Sequence, residues 1–101
     1  MIGTAGKRAL NAAHGALIFN RRVRVLAEAL ARLLPPGPAR VLDLGCGDGQ
    51  VAAALMRLRP ELGVEGVDVL VRPVTHIPVT PYDGATLPFA DDSFEHVTIV
   101  D

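Results

Sequence analysis

The chain has 101 residues, half of them hydrophobic, with a formal net charge of −1 and a sequence pI near 6.3. That length suits one small α/β domain and is too short for two, and the near balance of charge gives no bulk attraction to a polyanion. A lone cysteine, Cys46, excludes an internal disulfide framework; no Cys/His group has zinc-site spacing, so no metal is expected, and no stretch is apolar enough to span a bilayer.

The opening segment MIGTAGKRALNAAHGALIFNRR carries basic residues, but Asn11, His14 and Asn20 interrupt any signal-peptide core. A reducing cytoplasm is the expected location. In NRRVRVLAEALARLLPPG, Val23, Leu26, Ala27, Leu30, Leu33 and Leu34 recur at helical spacing, while Arg21, Arg22, Arg24, Glu28 and Arg32 fall elsewhere. This predicts an amphipathic helix whose arginines form a solvated face, ended by Pro35, Pro36 and Gly37.

Residues 40–44, RVLDL, read as a buried parallel strand between a Pro/Gly loop and a glycine turn. GQVAAALMRLRP reads as a helix with Asp48 as N-cap, a packing face of Val51, Ala52, Leu55 and Leu58, and Pro60 as its stop. GVEGVDV, residues 63–69, is the next strand, completing a strand–helix–strand unit. The prolines of VLVRPVTHIPVTPYDG then force an extended course, with a third strand within residues 77–82. A fourth strand is expected in SFEHVTIVD, residues 93–101.

Ligands of open α/β sheets bind beyond the carboxyl ends of the strands. Four predicted strand ends here carry Asp43, Asp68, Asp83 and Asp101, so one rim gathers carboxylates. A dinucleotide fits this rim poorly. Gly47, Gly49 and Ala52 match G-x-G-x-x-G/A, yet counting from Gly45, the first glycine after the strand, puts Gln50 at the third small position, and a pyrophosphate would lie beside Asp48. A P-loop fits worse, because no Lys-Ser/Thr follows the glycines. A ligand with a ribose and a cationic end suits the carboxylates better, since they accept from hydroxyls and attract ammonium or sulfonium groups.

At this point the sequence resembles the class I S-adenosylmethionine-dependent methyltransferases, in the type 11 branch near the quinone-biosynthesis enzymes. VLDLGCGDGQ, VEGVDV and YDGATLPFADDSFEHVTIVD carry the resemblance, in the family's order and spacing. It implies a Rossmann-like open parallel sheet ordered 3-2-1-4 and the cofactor S-adenosyl-L-methionine, with S-adenosyl-L-homocysteine as product. It also implies that Gly45, Cys46, Gly47 and Gly49 form the loop that closes on the cofactor, with Asp43 near its methionyl ammonium. Cys46 itself reads as a small packing residue in that loop. By the same resemblance Asp68 takes the ribose hydroxyls and Asp83 the adenine amino group, with Gly84 and Ala85 along the adenine edge. The main chain at Val100 and Asp101 would face the methionyl part.

Methyl transfer to an unidentified acceptor is the function implied, with a small molecule expected as acceptor, no nucleic-acid partner and no membrane. A catalytic base is not assigned; His14, His76 and His96 read as surface or packing residues. The resemblance further divides the chain into a helical segment, 1–38, and the N-terminal half of a cofactor-binding domain, 39–101. The fourth strand is then an edge open to pairing, and the fragment is expected to be inactive alone. Residues 14–22 could fold over the cofactor as a lid. A non-catalytic S-adenosylmethionine-binding module and a NAD-binding dehydrogenase fragment are the competing readings. Where the family has a helix between Asp68 and Asp83, this chain has the proline-rich RPVTHIPVTPYDG.

Overall fold

The structure is a computed structural model that describes residues 21–100. Helix α1 occupies residues 21–33. It is followed by β1 (Ala39–Leu44), α2 (Gln50–Leu58), β2 (Leu62–Asp68), β3 (Val79–Pro81) and β4 (His96–Thr98). The strands form one parallel sheet in the order β3-β2-β1-β4. This is the partial Rossmann-like α/β sheet expected. Residues 93–95 and 99–100 lie outside β4, which is shorter than the alternating pattern suggested.

The core lies between the sheet and the two helices. Val41, Leu62 and Val64 of the sheet pack with Ala52 and Leu55 of α2, and Leu30, Ala31 and Leu34 close the layer from the first helical segment. Leu33 and Leu58 do not join it, being 78% and 50% exposed. Each falls roughly 90° around its helix from the line of buried residues, so helical spacing alone placed them too generously. On the opposite sheet face Leu42 is buried beneath the segment 85–94, where Phe89 and Phe94 meet edge to face at 5.0 Å.

The two helices are joined by one guanidinium. Arg59 Nη1 donates to the carbonyls of Ala31 and Leu34, and its Nη2 to that of Pro35, at 2.7–3.0 Å. These carbonyls lie in and just after the last turn of α1 and lack intrahelical partners, so Arg59 satisfies groups that would otherwise need water. Glu61 holds the other side of Arg59 in an ion pair.

Helix α2 begins one residue later than the capping reading placed it. Its N-cap is Gly49, at φ +82°, which makes no side-chain cap bond. Asp48 still contributes, since its Oδ1 accepts the Gln50 N–H at 3.2 Å and its Oδ2 the Gln50 side-chain amide at 2.7 Å.

Candidate active site

The strand register builds the site. β1 stops at Leu44, opposite Val67, while β2 runs one residue further to Asp68. The chain leaving β1 turns across that overhang: the Gly45 and Cys46 N–H groups both donate to the Val67 carbonyl, at 2.9 and 3.2 Å. One residue further, the Gly47 N–H donates to Asp68 Oδ2 at 2.8 Å. Gly45, Gly47 and Gly49 have φ values of +72°, +59° and +82°, a region that an L side chain enters only with strain.

The crossing needs space that the glycine motif does not itself provide. An added Cβ at Gly66 of β2 would overlap Cys46 Sγ, and one at Gly49 would lie 2.5 Å from Ile77 Cγ1. Gly66 thus makes room for the Cys46 side chain, and Ile77 props the loop from behind. Ile77 belongs to the proline-rich segment, expected to be extended, that stands where the resembled family has a helix. That segment is held to the loop by the His76 N–H, which donates to the Asp48 carbonyl at 2.8 Å, and to β2 by the Gly66 N–H, which donates to the Pro78 carbonyl at 2.9 Å. His76 itself is exposed.

Between β1 and β4 the strand order reverses direction, the place where open α/β sheets take ligands. A cavity of about 150 Å³ opens there, lined among others by Asp43, Gly45, Cys46, Asp48, Val100 and Arg22 of α1. Asp43 is 4% exposed and accepts from the Thr98 hydroxyl of β4 at 3.1 Å. Burial pushes its carboxyl above the ordinary 3.8; the Thr98 hydrogen bond works against this and the nearby Asp68 charge adds to it. The Cys46 thiol is pushed up to about 11, first by burial and then by the Asp43 and Asp68 carboxylates. It is therefore a neutral wall of the cavity.

Asp83, Gly84 and Ala85 stand beside the end of β2 rather than in this cavity. A Cβ on Gly84 would lie 3.4 Å from Val69 Cγ2, next to Asp68. Asp83 Oδ1 accepts from the backbone N–H groups of Ala85 and Thr86 at 2.8 Å each, and these bonds hold its carboxyl below 3.8. The structure thus gathers Asp43, the glycine loop and Asp68 directly, with Asp83 at the flank. Asp101, His14 and most of the lid segment, residues 14–20, lie outside the described residues.

Thr98, Gly66 and Ile77 were not anticipated as site residues. Gly66 had a readable signal, since a glycine inside a strand marks close backbone approach. Ile77 and Thr98 had none, because their importance comes from which strand or loop they meet.

Comparison with known proteins agrees with this geometry. The sequence pattern described as "Methyltransferase domain" matches residues 18–100. The chain belongs to this family. It is thereby a member of the class I S-adenosylmethionine-dependent methyltransferases, for which S-adenosylmethionine is the usual cofactor. Among curated relatives, the ribosomal RNA small subunit methyltransferase C of Shewanella baltica (strain OS155) is 45% identical over 49 residues, covering 48% of this chain and 14% of the relative. Its counterpart in Shewanella sediminis is 56% identical over 36 residues, covering 36% of this chain and 10% of the relative. The match to this methyltransferase chain spans about a seventh or less of the length of these relatives.

These relatives overturn one expectation. A small-molecule acceptor was expected, and the near-neutral charge gave no nucleic-acid signal, but the relatives are named for action on ribosomal RNA. Net charge averages over the chain and is blind to how charge is distributed on the surface. Among the described residues of this methyltransferase-family chain, no helix is long and apolar enough to cross a membrane.

Proposed function

We propose that this chain forms the cofactor-binding half of an S-adenosylmethionine-dependent methyltransferase, with residues 39–101 as its core, acting on an RNA. The observation that carries the cofactor reading is the glycine loop bonded to Asp68 beside a carboxylate-walled cavity at the strand-order switch. The RNA acceptor is supported by the named action of the relatives.

The residues suit such a cofactor in donor chemistry. Asp68 offers a carboxylate already oriented by the Gly47 N–H, suited to accept from a ribose diol. Asp43, buried and fixed by Thr98, faces a cavity that a cationic amine can enter; its ionised form is favoured when such a cation is present. An added Cβ at Gly45 would meet nothing within 4 Å, so the backbone there is open to a ligand. Asp83, Gly84 and Ala85 would take the adenine edge, and Asp101 and Val100 the methionyl end, with Cys46 and Gly49 completing the loop. When bound, S-adenosylmethionine supplies a methyl group on a sulfonium, which a nucleophile displaces to leave S-adenosylhomocysteine. The contribution of this chain is to hold that group in line, a source of rate enhancement that needs no base.

Titration calorimetry of the full chain with S-adenosylhomocysteine and with NAD tests the cofactor assignment. Binding of the first and not the second is expected. Asp68→Ala should weaken it roughly ten- to a hundredfold, the scale of one hydrogen bond to a charged group, about 1.5–3 kcal/mol. Preference for NAD defeats the proposal in favour of a dehydrogenase fragment. Because this half is expected to be inactive alone, binding of small-subunit ribosomal RNA by the full chain loaded with S-adenosylhomocysteine tests the acceptor, and cofactor binding without RNA binding counts against it.

A further inference from the structure

We infer that the arginines of α1 and α2 form a phosphate-binding face that lays an RNA strand toward the cavity; the inference rests on the RNA-acceptor reading. At 100° per residue, Arg21, Arg24, Glu28 and Arg32 fall on one stripe of α1, and all three arginines are exposed. Only Arg24 has an acidic partner on the stripe, Glu28, at 4.0 Å and with both side chains solvated. Such a pair is weak and salt-sensitive, and yields readily to a phosphate.

The second helix extends the face instead of balancing it. Its sequence QVAAALMRL has no acidic residue, and Arg57 in its last turn is exposed. Arg24 and Arg57 line the same cleft between the helices, a hollow of about 230 Å³ floored by Val23, Ala27 and Ala54. Taken together, residues 21–33 and 50–58 hold five arginines (21, 22, 24, 32 and 57) against one carboxylate, Glu28. The strand-end rim is weighted the other way, with Asp43, Asp48, Asp68 and Asp83 against Arg72, whose guanidinium lies beside Gly47, and Arg22 at the cavity wall. A solvated helix face usually mixes the two signs at i,i+4 spacing; here Glu28, between Arg24 and Arg32, is the one carboxylate in residues 21–33 and 50–58.

The direction of the face is the second argument. Arg21 and Arg22 border one hollow at the start of the described helix, and Arg22 also lines the cavity at the glycine loop. Arg22, one position around the helix from Arg21, connects the stripe to the wall of the cavity. Arginine suits this task because its planar fork binds phosphate oxygens two at a time. An RNA backbone held along α1 and in the α1–α2 cleft would bring an adjoining base to the rim where the cofactor residues converge.

The test uses the full chain and a fluorescein-labelled 24-nucleotide RNA hairpin, followed by anisotropy between 50 and 200 mM salt. Affinity should fall linearly with salt on a double-logarithmic plot. Arg57→Gln should lower that slope by about 0.7 to 1, the counterion release of one phosphate contact. The triple variant Arg21→Glu/Arg24→Glu/Arg57→Glu should lose at least a hundredfold in hairpin affinity. S-adenosylhomocysteine affinity should stay within twofold in both variants, which also reports that they are folded; if the triple variant fails this check, Arg21→Gln/Arg24→Gln/Arg57→Gln takes its place.

Hairpin binding unchanged in a folded triple variant overturns the inference. Wild-type binding to phosphatidylglycerol vesicles with no binding to the hairpin does so too. These results are distinct from failure of the acceptor reading. If the triple variant binds the hairpin as wild type does, the surface is wrong and the acceptor reading stands; if wild type binds S-adenosylhomocysteine but no RNA, the acceptor reading itself fails.

Discussion

Substituting alanine at Gly45 and at Gly49 should separate ligand approach from loop packing. Both glycines are left-handed, at φ +72° and +82°, so each alanine meets a similar backbone cost. That cost is about 1–2 kcal/mol, partly offset by the reduced freedom of the unfolded chain. The surroundings differ. A Cβ at Gly45 meets nothing within 4 Å, whereas one at Gly49 lies 2.5 Å from Ile77 Cγ1 and 3.4 Å from the Ile77 backbone N. Ile77 is 5% exposed and branched at Cβ, so it cannot swing clear, and overpacking of this kind adds about 1–3 kcal/mol. The expected losses are therefore about 1 kcal/mol for Gly45→Ala and roughly 2–4 kcal/mol for Gly49→Ala.

Urea melts of the full chain measure both, and a companion Ile77→Ala closes a double-mutant cycle. Ile77→Ala alone should cost about 2–5 kcal/mol as a cavity. Combined with Gly49→Ala it should cost less than the sum, because the new methyl enters the space the isoleucine left. Affinity for S-adenosylhomocysteine should show the opposite order, with Gly45→Ala weakening it at least tenfold since its methyl lies at the cavity. Equal stability losses at the two glycines, or a strictly additive cycle, would falsify the assignment of one glycine to approach and the other to packing.

Two further outcomes follow from the carboxylate and the thiol. The folded chain keeps the Asp43 proton to a higher pH than the unfolded chain, so stability falls as pH rises from 3.8 through the raised value. Asp43→Asn should stabilise the ligand-free protein near neutrality, flatten this slope and weaken S-adenosylhomocysteine binding; melts at pH 4 and pH 7 with the wild-type slope would refute this. With its pKa at about 11, Cys46 is about one part in a thousand thiolate at pH 8, against roughly a quarter for an ordinary cysteine near 8.5. Iodoacetamide should therefore label the folded chain at least a hundredfold more slowly than the urea-unfolded chain, and equal rates would show the thiol to be neither buried nor raised.

The parts of the fold legible in the sequence are those with local signals. Val41 and Leu42 sit in an uninterrupted apolar run and are 0% and 1% exposed; the helices follow their own period, and Pro35 and Pro60 lie just past the helix ends. The less legible parts depend on meetings between distant segments. Thr98 caps Asp43 across 55 residues, and no spacing within either strand announces that pairing. The proline-rich stretch read correctly as extended, yet its purpose emerges only from Ile77 filling the space beside Gly49 and Gly66. Leu33 and Leu58 were misplaced for the converse reason: an apolar residue at a helix margin has the right type and the wrong azimuth.

The misjudged partner class has a physical cause of the same kind. Composition records eleven acidic and ten basic residues, a sum from which attraction and repulsion both vanish. Topology then sorts them. In a parallel sheet the carboxyl ends of all strands face one rim, so Asp43, Asp68 and the turn residues Asp48 and Asp83 accumulate where a cationic ligand is to be held. The helices pack on one face of the sheet, and their exposed arginines, apart from Arg22 at the cavity wall, are not tied to the strand ends. A nearly neutral chain can thus present an acidic pocket beside a basic face. That division suits the proposed transfer from a cationic donor to a polyanionic acceptor, because a uniformly basic surface would weaken the donor site and a uniformly acidic one would repel the acceptor.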